Sequence, residues 1–140
     1  MTLPAADRLA ILELLARGLR ALDAGDGEAA AACFTADGVL DVPPHGRFEG
    51  REAIAAFVRA HEAAAEHGSQ HWTNNVVLGG DEDGATLSCY LLGFDLGAGA
   101  GGGPAIAWLA LVDAELRREG GEWRLASFRR SLLGSRPDEG

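Results

Sequence analysis

Near residue 70 the chain changes texture, and that switch limits its possible folds more than any other feature. Before it, apolar residues recur at helical spacing. Between Asp7 and Leu22 they fall at Leu9, Ile11, Leu12, Leu15, Leu19 and Leu22, giving a broad apolar stripe. Pro4 suits a first helical turn and Asp7 suits the positive end of a helix. The run Asp23-Ala24-Gly25-Asp26-Gly27 stops this helix, and Asp26 is placed to cap a second one running through Phe34. Thr35–Gly38 reads as a turn, Val39–Val42 as a short strand, Pro43–Gly46 as a turn and Arg47–Glu49 as another short strand. A third helix is expected from Arg51 to about Glu66, with Ile54, Phe57, Val58 and His61 on one face.

After the switch come four long strand-like runs, His71–Leu78, Ala85–Leu96, Ala105–Arg118 and Glu122–Leu133. Gly79–Gly84 and Glu119–Gly121 are hairpin signals, and Gly97–Gly103 is a flexible glycine-rich connection. The expectation is an α+β domain over residues 1–134 with a polar tail at 135–140. Three N-terminal helices would pack in a strongly curved mixed or antiparallel sheet, leaving a cone open at one end, a common place for a ligand.

Composition removes several classes of function. A net charge of −9 and a pI near 4.8 argue against nucleic acid and anionic membranes as partners. All 12 basic residues are Arg, so Schiff-base chemistry, a catalytic Lys and a phosphate-binding Walker loop are excluded. No window is apolar enough for a membrane span, and the first residues lack the basic and apolar regions of a signal peptide, so a cytoplasmic location is expected. Cys33 and Cys89, without CxxC spacing, read as buried reduced thiols.

Two motifs are decoys. Gly97, Gly99 and Gly102 satisfy GxGxxG, but Pro104 and a strand-like run come next where a dinucleotide site needs a helix. His61-Glu62 begins like HExxH, yet the next histidine, His67, lies about 240° around a helix and cannot share a zinc ion with it. No metal and no cofactor are expected. What remains is Asp23 at the end of the first helix and His71 at the start of the long strands. Around them stand Asn74, Asp95, Asp113 and the Arg129-Arg130 pair, with Phe57, Trp72, Tyr90 and Trp108 as candidate pocket walls.

Three segments carry a resemblance: Leu22–Asp26, Cys33–Val39 and Gly46–Ile54. With His71-Trp72-Thr73-Asn74 and Glu119–Leu125 they resemble the SnoaL-like branch of the nuclear transport factor 2-like superfamily, over about residues 7–133. The resemblance implies a cone-shaped α+β fold with a pocket between sheet and helices, in homodimers or homotrimers. In dehydratase-like members an Asp at the end of the first helix and a His on the strand are pocket residues, matching Asp23 and His71; an acid and an arginine on later strands match Asp95 and Arg129 or Arg130. Gly18 stands where those members often carry a Tyr.

The expected activity is cofactor-free acid–base catalysis of the dehydratase, isomerase or cyclase type. Asp23 and His71 would be catalytic, acting on a small hydrophobic oxygenated, cyclic molecule. Phe57, Trp72, Asn74, Tyr90, Asp95, Trp108 and Arg130 would line or support the pocket. Two alternatives share the fold: a non-catalytic binder of an apolar ligand, and an assembly partner like the β subunits of ring-hydroxylating dioxygenases.

Overall fold

The computed structural model describes residues 2–136 of the 140. Helix α1 (Ala5–Ala24) and the short α2 (Gly27–Ala32) precede strand β1 (Phe34–Asp41) and strand β2 (Arg47–Glu49). Helix α3 (Arg51–Ala64) follows, and then the long strands β3 (Ser69–Gly80), β4 (Gly84–Asp95), β5 (Ala105–Glu119) and β6 (Glu122–Ser135). The six strands form one sheet in the order β2-β1-β6-β5-β4-β3. Every pairing is antiparallel except β1 with β6, so the sheet is mixed. The glycine-rich segment after β4 is a hairpin connection holding one 3₁₀ turn, Ala100–Gly102, and it opens no helix that could receive a pyrophosphate.

Boundaries differ from expectation where pairing overrides local preference. The second helix stops at Ala32 rather than running through Phe34, because the Cys33 carbonyl accepts from Leu125 N–H at 2.8 Å and Phe34 pairs with Leu125. Residues 35–38, expected to form a turn, lie inside β1 as an irregularity between the Phe34–Leu125 and Val39–Ser127 pairs. Thr35 is fully buried there and its hydroxyl donates to Asp37 at 2.9 Å. Helix α3 ends at Ala64, two residues early. Gly134 and Ser135, expected in the loop-like end of the chain, continue β6 opposite Leu109 and Trp108, and residues 137–140 of the expected tail lie outside the described residues.

The core lies between one face of the sheet and the helices. Ile11, Leu15 and Leu19 of α1 and Ile54 and Ala55 of α3 pack with Leu87, Cys89 and Leu91 of β4 and with Val112, Ala114 and Leu116 of β5. Each fully buried Leu or Ile contributes roughly 1.5–3 kcal/mol of hydrophobic stabilisation. The opposite face exposes Trp72, Tyr90, Ile106, Leu109 and Leu133. Cys33 and Cys89 are buried free thiols, and burial first, then the Asp113 charge, pushes the Cys89 thiol up to about 11.

Strand β6 carries two extra residues against β5, Ala126 and Leu133, and the first lies where the strand enters the core of the sheet. Leu125 stands opposite Leu116 and Ser127 opposite Glu115, which leaves Ala126 without a partner on β5. Such a bulge reverses the in–out alternation of the residues after it, here as far as the second extra residue at Leu133. Trp123 and Leu125 are buried before it; Phe128 and Arg130 are buried beyond it.

Helix α1 is pinned at both ends. At its start the Asp7 carboxylate accepts from Arg118 Nη2 at 2.7 Å and from Trp123 Nε1 at 3.1 Å, while the Arg118 guanidinium lies 4.6 Å from the Trp123 ring centre. At its end Gly25 takes the left-handed conformation, φ 69°, and its N–H donates to the Leu22 carbonyl at 3.1 Å. The Asp26 N–H donates to the Ala21 carbonyl at 2.9 Å. These bonds close the last turn and fix the direction in which Asp23 leaves it. Asp26 then caps α2, its carboxylate accepting from Ala29 N–H at 3.1 Å. No helix among the described residues is long and apolar enough to cross a membrane.

Candidate functional site

Between the helices and the sheet lies a narrow cleft of about 70 Å³, which adjoins through shared residues a wider outer chamber of about 530 Å³. The inner walls of the cleft are apolar: Leu15, Leu19, Leu40, Ile54, Val58 and Leu125 among others. The polar groups that reach it are His45, His61, His71 and Arg130, with Phe57 and Trp108 between them. The more polar outer chamber shares His45, Phe57, His61, His71 and Trp108 and opens past Glu66, Ser69 and Asp95.

His71 sits near the start of β3, with its side chain 4% exposed. Its Nδ1 is 2.7 Å from Asp23 Oδ1, and its backbone N–H donates to Asp23 Oδ2 at 3.4 Å. A carboxylate can only accept, so this contact places the ring proton on Nδ1 and leaves the Nε2 lone pair without a partner among the described residues. Asp23 is not itself a wall of the cleft. It stands behind His71 and fixes the ring's orientation and tautomer. The two residues that the sequence singled out thus meet, but in series and not side by side.

Other residues are placed differently from expectation. Trp72 is 58% exposed and Tyr90 48% exposed. They alternate with the inward His71 and with Cys89 and Leu91, so both face away from the cleft. Trp72 packs on Phe94 on that outer surface, with ring centres 4.8 Å apart. Asn74 is also exposed, an odd number of residues from His71 on the same strand. Asp95 reaches only the outer chamber, where its carboxylate accepts from Gly97 N–H at 3.0 Å and lies 3.9 Å from Arg136. Phe57, Trp108 and Arg130 do line the cleft. The bulge at Ala126 decides between the two arginines: Arg130 turns inward, whereas Arg129 pairs with Asp41 at the surface. Asp113, across from Arg129, is exposed.

Two histidines that linear spacing sets aside belong to the site. His61 shares a helix face with Phe57 and stands with its ring 5.7 Å from His71 and 6.5 Å from His45. Burial first, then the charges of His71, His45 and Arg130, pushes its pKa down to about 4, so the ring is neutral at pH 7. Burial, then Arg130, also lowers His45. The signal for His61 is present in the sequence, in its i, i+3, i+4, i+7 register with Ile54, Phe57 and Val58. His45 comes from a Pro-Pro turn and carries none. Among the described residues no group of three or more His, Cys, Asp or Glu side chains is arranged to hold a metal ion.

Arg130 crosses this floor almost fully buried, 5% exposed. Its guanidinium lies 4.7 Å from the Trp108 ring centre, and Nη2 donates to the Pro43 carbonyl at 2.9 Å. Gly93 makes room for that indole: a Cβ there would meet the Trp108 ring at 2.2 Å. On α1, Gly18 lines the cleft with ordinary space beside it, 3.7 Å from Cys33 Sγ to a would-be Cβ.

Comparisons with known proteins agree with this architecture. A protein of unknown function with a cystatin-like fold from Nostoc punctiforme is 29% identical, with a TM-score of 0.84 over 99% of this chain and 98% of that one. An NTF2-like protein with a cystatin-like fold from Novosphingobium aromaticivorans is 28% identical, with a TM-score of 0.82 over 94% and 85% of the two chains. ActVI-ORFA from Streptomyces coelicolor is 25% identical, with a TM-score of 0.78 over 90% and 96%. No curated protein matches the chain. The family model of the SnoaL-like domain matches residues 4–129, and with helices packed against a six-strand mixed sheet around one cleft, the chain belongs to the SnoaL-like family of the NTF2-like, cystatin-like fold.

Proposed function

We propose that the protein is a cofactor-free acid–base enzyme of the dehydratase, isomerase or cyclase type, acting on a small hydrophobic oxygenated ring compound. The observation that carries this reading is the Asp23–His71 pair, 2.7 Å apart, with the imidazole turned into an apolar cleft. Family membership supports it, since the SnoaL-like domain points to small-molecule-processing enzymes of the polyketide-cyclase kind.

In this reading His71 Nε2 removes a proton from the carbon next to a substrate carbonyl. Asp23 accepts the hydrogen bond from Nδ1–H throughout and stabilises the imidazolium that forms. The imidazolium then returns its proton to a leaving hydroxyl, which departs as water in a dehydration, or to another carbon in an isomerisation. The apolar walls exclude water and strengthen each of these interactions. The role pictured from the sequence, with Asp23 as a catalytic residue in its own right, shifts accordingly: His71 is the proton carrier and Asp23 its positioning residue.

The test is loss of water from 3-hydroxytetralone, a β-hydroxyketone whose dehydration gives fluorescent 1-naphthol. Wild-type protein should accelerate it, and His71→Gln should lose roughly 10²–10⁴-fold in kcat/KM. A wild-type rate equal to that of His71→Gln, with the ketone bound by both, favours the binding-protein alternative, which Gly18 also favours because it leaves α1 without a hydroxyl donor facing the cleft.

A further inference from the structure

Arg130 presents a charge problem that the acid–base chemistry does not use. Its guanidinium is almost fully buried, yet among the described residues no carboxylate lies within ion-pair distance of it. Its Nε–H has no hydrogen-bond acceptor, and nearby His61 Nδ1 is likewise buried and unpartnered. The two groups border the same cleft, and the side chains around them are Phe57, Trp108 and the imidazoles of His45 and His71. A buried cation without a counter-charge is costly, and the Trp108 face offsets only part of that cost. Elsewhere the chain supplies its own counter-charges, as Asp41 does for Arg129 and Asp7 for Arg118.

We infer that Arg130 receives an anionic oxygen of the ligand, and that the substrate class is a hydrophobic ring compound bearing a carboxylate. An Arg–carboxylate contact is charge-assisted and geometrically specific, which a neutral carbonyl cannot match. The carboxylate would occupy the Arg130 end of the cleft, beside Trp108 and His45, and the ring would lie along Phe57 towards His71. Binding would supply the acceptor that Nε lacks. The inference rests on the small-molecule reading of the cleft but not on the elimination chemistry.

The experiment compares 2-naphthoate with 2-naphthamide, probes of equal shape that differ in charge, by isothermal titration calorimetry at pH 7.5. Wild-type protein should bind naphthoate at least tenfold more tightly than the amide. Arg130→Gln should bring the two affinities together by weakening naphthoate alone, and Arg130→Lys, which keeps the charge but not the planar fork, should retain a smaller preference for naphthoate. Equal affinities in the wild type, or a preference that survives in Arg130→Gln, overturns the inference. Arg130→Lys and the wild-type pair remain decisive should Arg130→Gln fail to fold. If neither probe binds wild-type protein, the ligand-cleft reading falls with it. If naphthoate is preferred but 3-hydroxytetralone is not turned over, the anion site stands and only the catalytic reading fails.

Discussion

Helix α1 carries an aspartate near each end, and the two are used in opposite ways. Asp7 sits in the first turn, where the peptide dipoles favour a carboxylate, and it is satisfied by Arg118 and by the Trp123 indole. The Trp123 hydrogen bond first, and Arg118 after it, holds the Asp7 carboxyl below the usual carboxylate range. Asp23 sits in the last turn, where the dipoles do not favour it, and its partner is a histidine rather than an arginine. Asp7 meets a guanidinium, which keeps its charge at every working pH. Asp23 meets an imidazole, the side chain suited to gaining and losing a proton in the neutral range. A carboxylate–guanidinium pair holds helix to sheet; a carboxylate behind an imidazole can orient a proton carrier. The same contrast runs through the whole molecule: the Asp7 end has its arginine paired, whereas the Asp23 end holds the unpartnered His61 Nδ1 and Arg130 Nε.

The contrast can be broken at its catalytic end first. Asp23→Asn presents an amide N–H to His71 Nδ1 and so favours the tautomer with the proton on Nε2, which removes the base. The expected loss in kcat for 3-hydroxytetralone is roughly 10²–10⁴-fold, with the circular dichroism spectrum unchanged. An effect confined to KM would show that Asp23 does not position the base.

Next comes His61, which tests whether the unpaired end carries a stability cost. Its folded pKa of about 4 lies below the unperturbed value of 6.5, so folding favours the neutral ring. That stability is complete above pH 6.5 and is lost as pH falls towards 4. After allowance for partial exposure the loss is on the order of 2 kcal/mol. Unfolding by urea at pH 7 and pH 4.5 should therefore show a steeper loss for wild type than for His61→Leu. Equal losses would mean that the ring is freely protonated where it stands.

At the paired end, Asp7→Ala should lower Tm while leaving turnover unchanged, the reverse of Asp23→Asn. The Asp7 contribution is present above the ordinary carboxyl value of 3.8 and disappears as pH falls through its lower folded value, so wild type and variant should converge in acid. The smallest effect is expected midway along the helix. Gly18→Ala meets only ordinary contact with Cys33, so it should stabilise the protein by about 0.5–1 kcal/mol through helix propensity. If it instead destabilises, the cleft wall at Gly18 is tighter than its contacts indicate.

Much of this is legible in the residues. The change of texture near residue 70 predicts the α+β order, and Asp23 and His71 are marked by their places at the end of a helix and the start of a strand. The faces of the long strands are not. In β4, Tyr90, Leu91 and Leu92 are all apolar-compatible, so alternation alone does not say which side meets the helices; that is decided by packing against Ile11 and Leu15, far away in sequence. For that reason Trp72 and Tyr90, read from the sequence as pocket walls, lie outside the pocket. His45 and His61 are hidden differently, since spacing along the chain tests for a shared metal and says nothing about three rings brought together from a turn, a helix and a strand.

The extra residue at Ala126 has a consequence beyond the register of one hairpin. Counting by twos from Trp123 and Leu125 points Arg129 inward; the unpartnered Ala126 hands that position to Arg130 and leaves Phe128 in the core. The character of the binding cleft is therefore written partly as a number of residues and not only as their identities. Were Ala126 instead to pair regularly opposite Glu115, the strand beyond it would slip by one residue, sending Arg130 to the solvent and bringing in Arg129, stripped from Asp41, without altering any side chain.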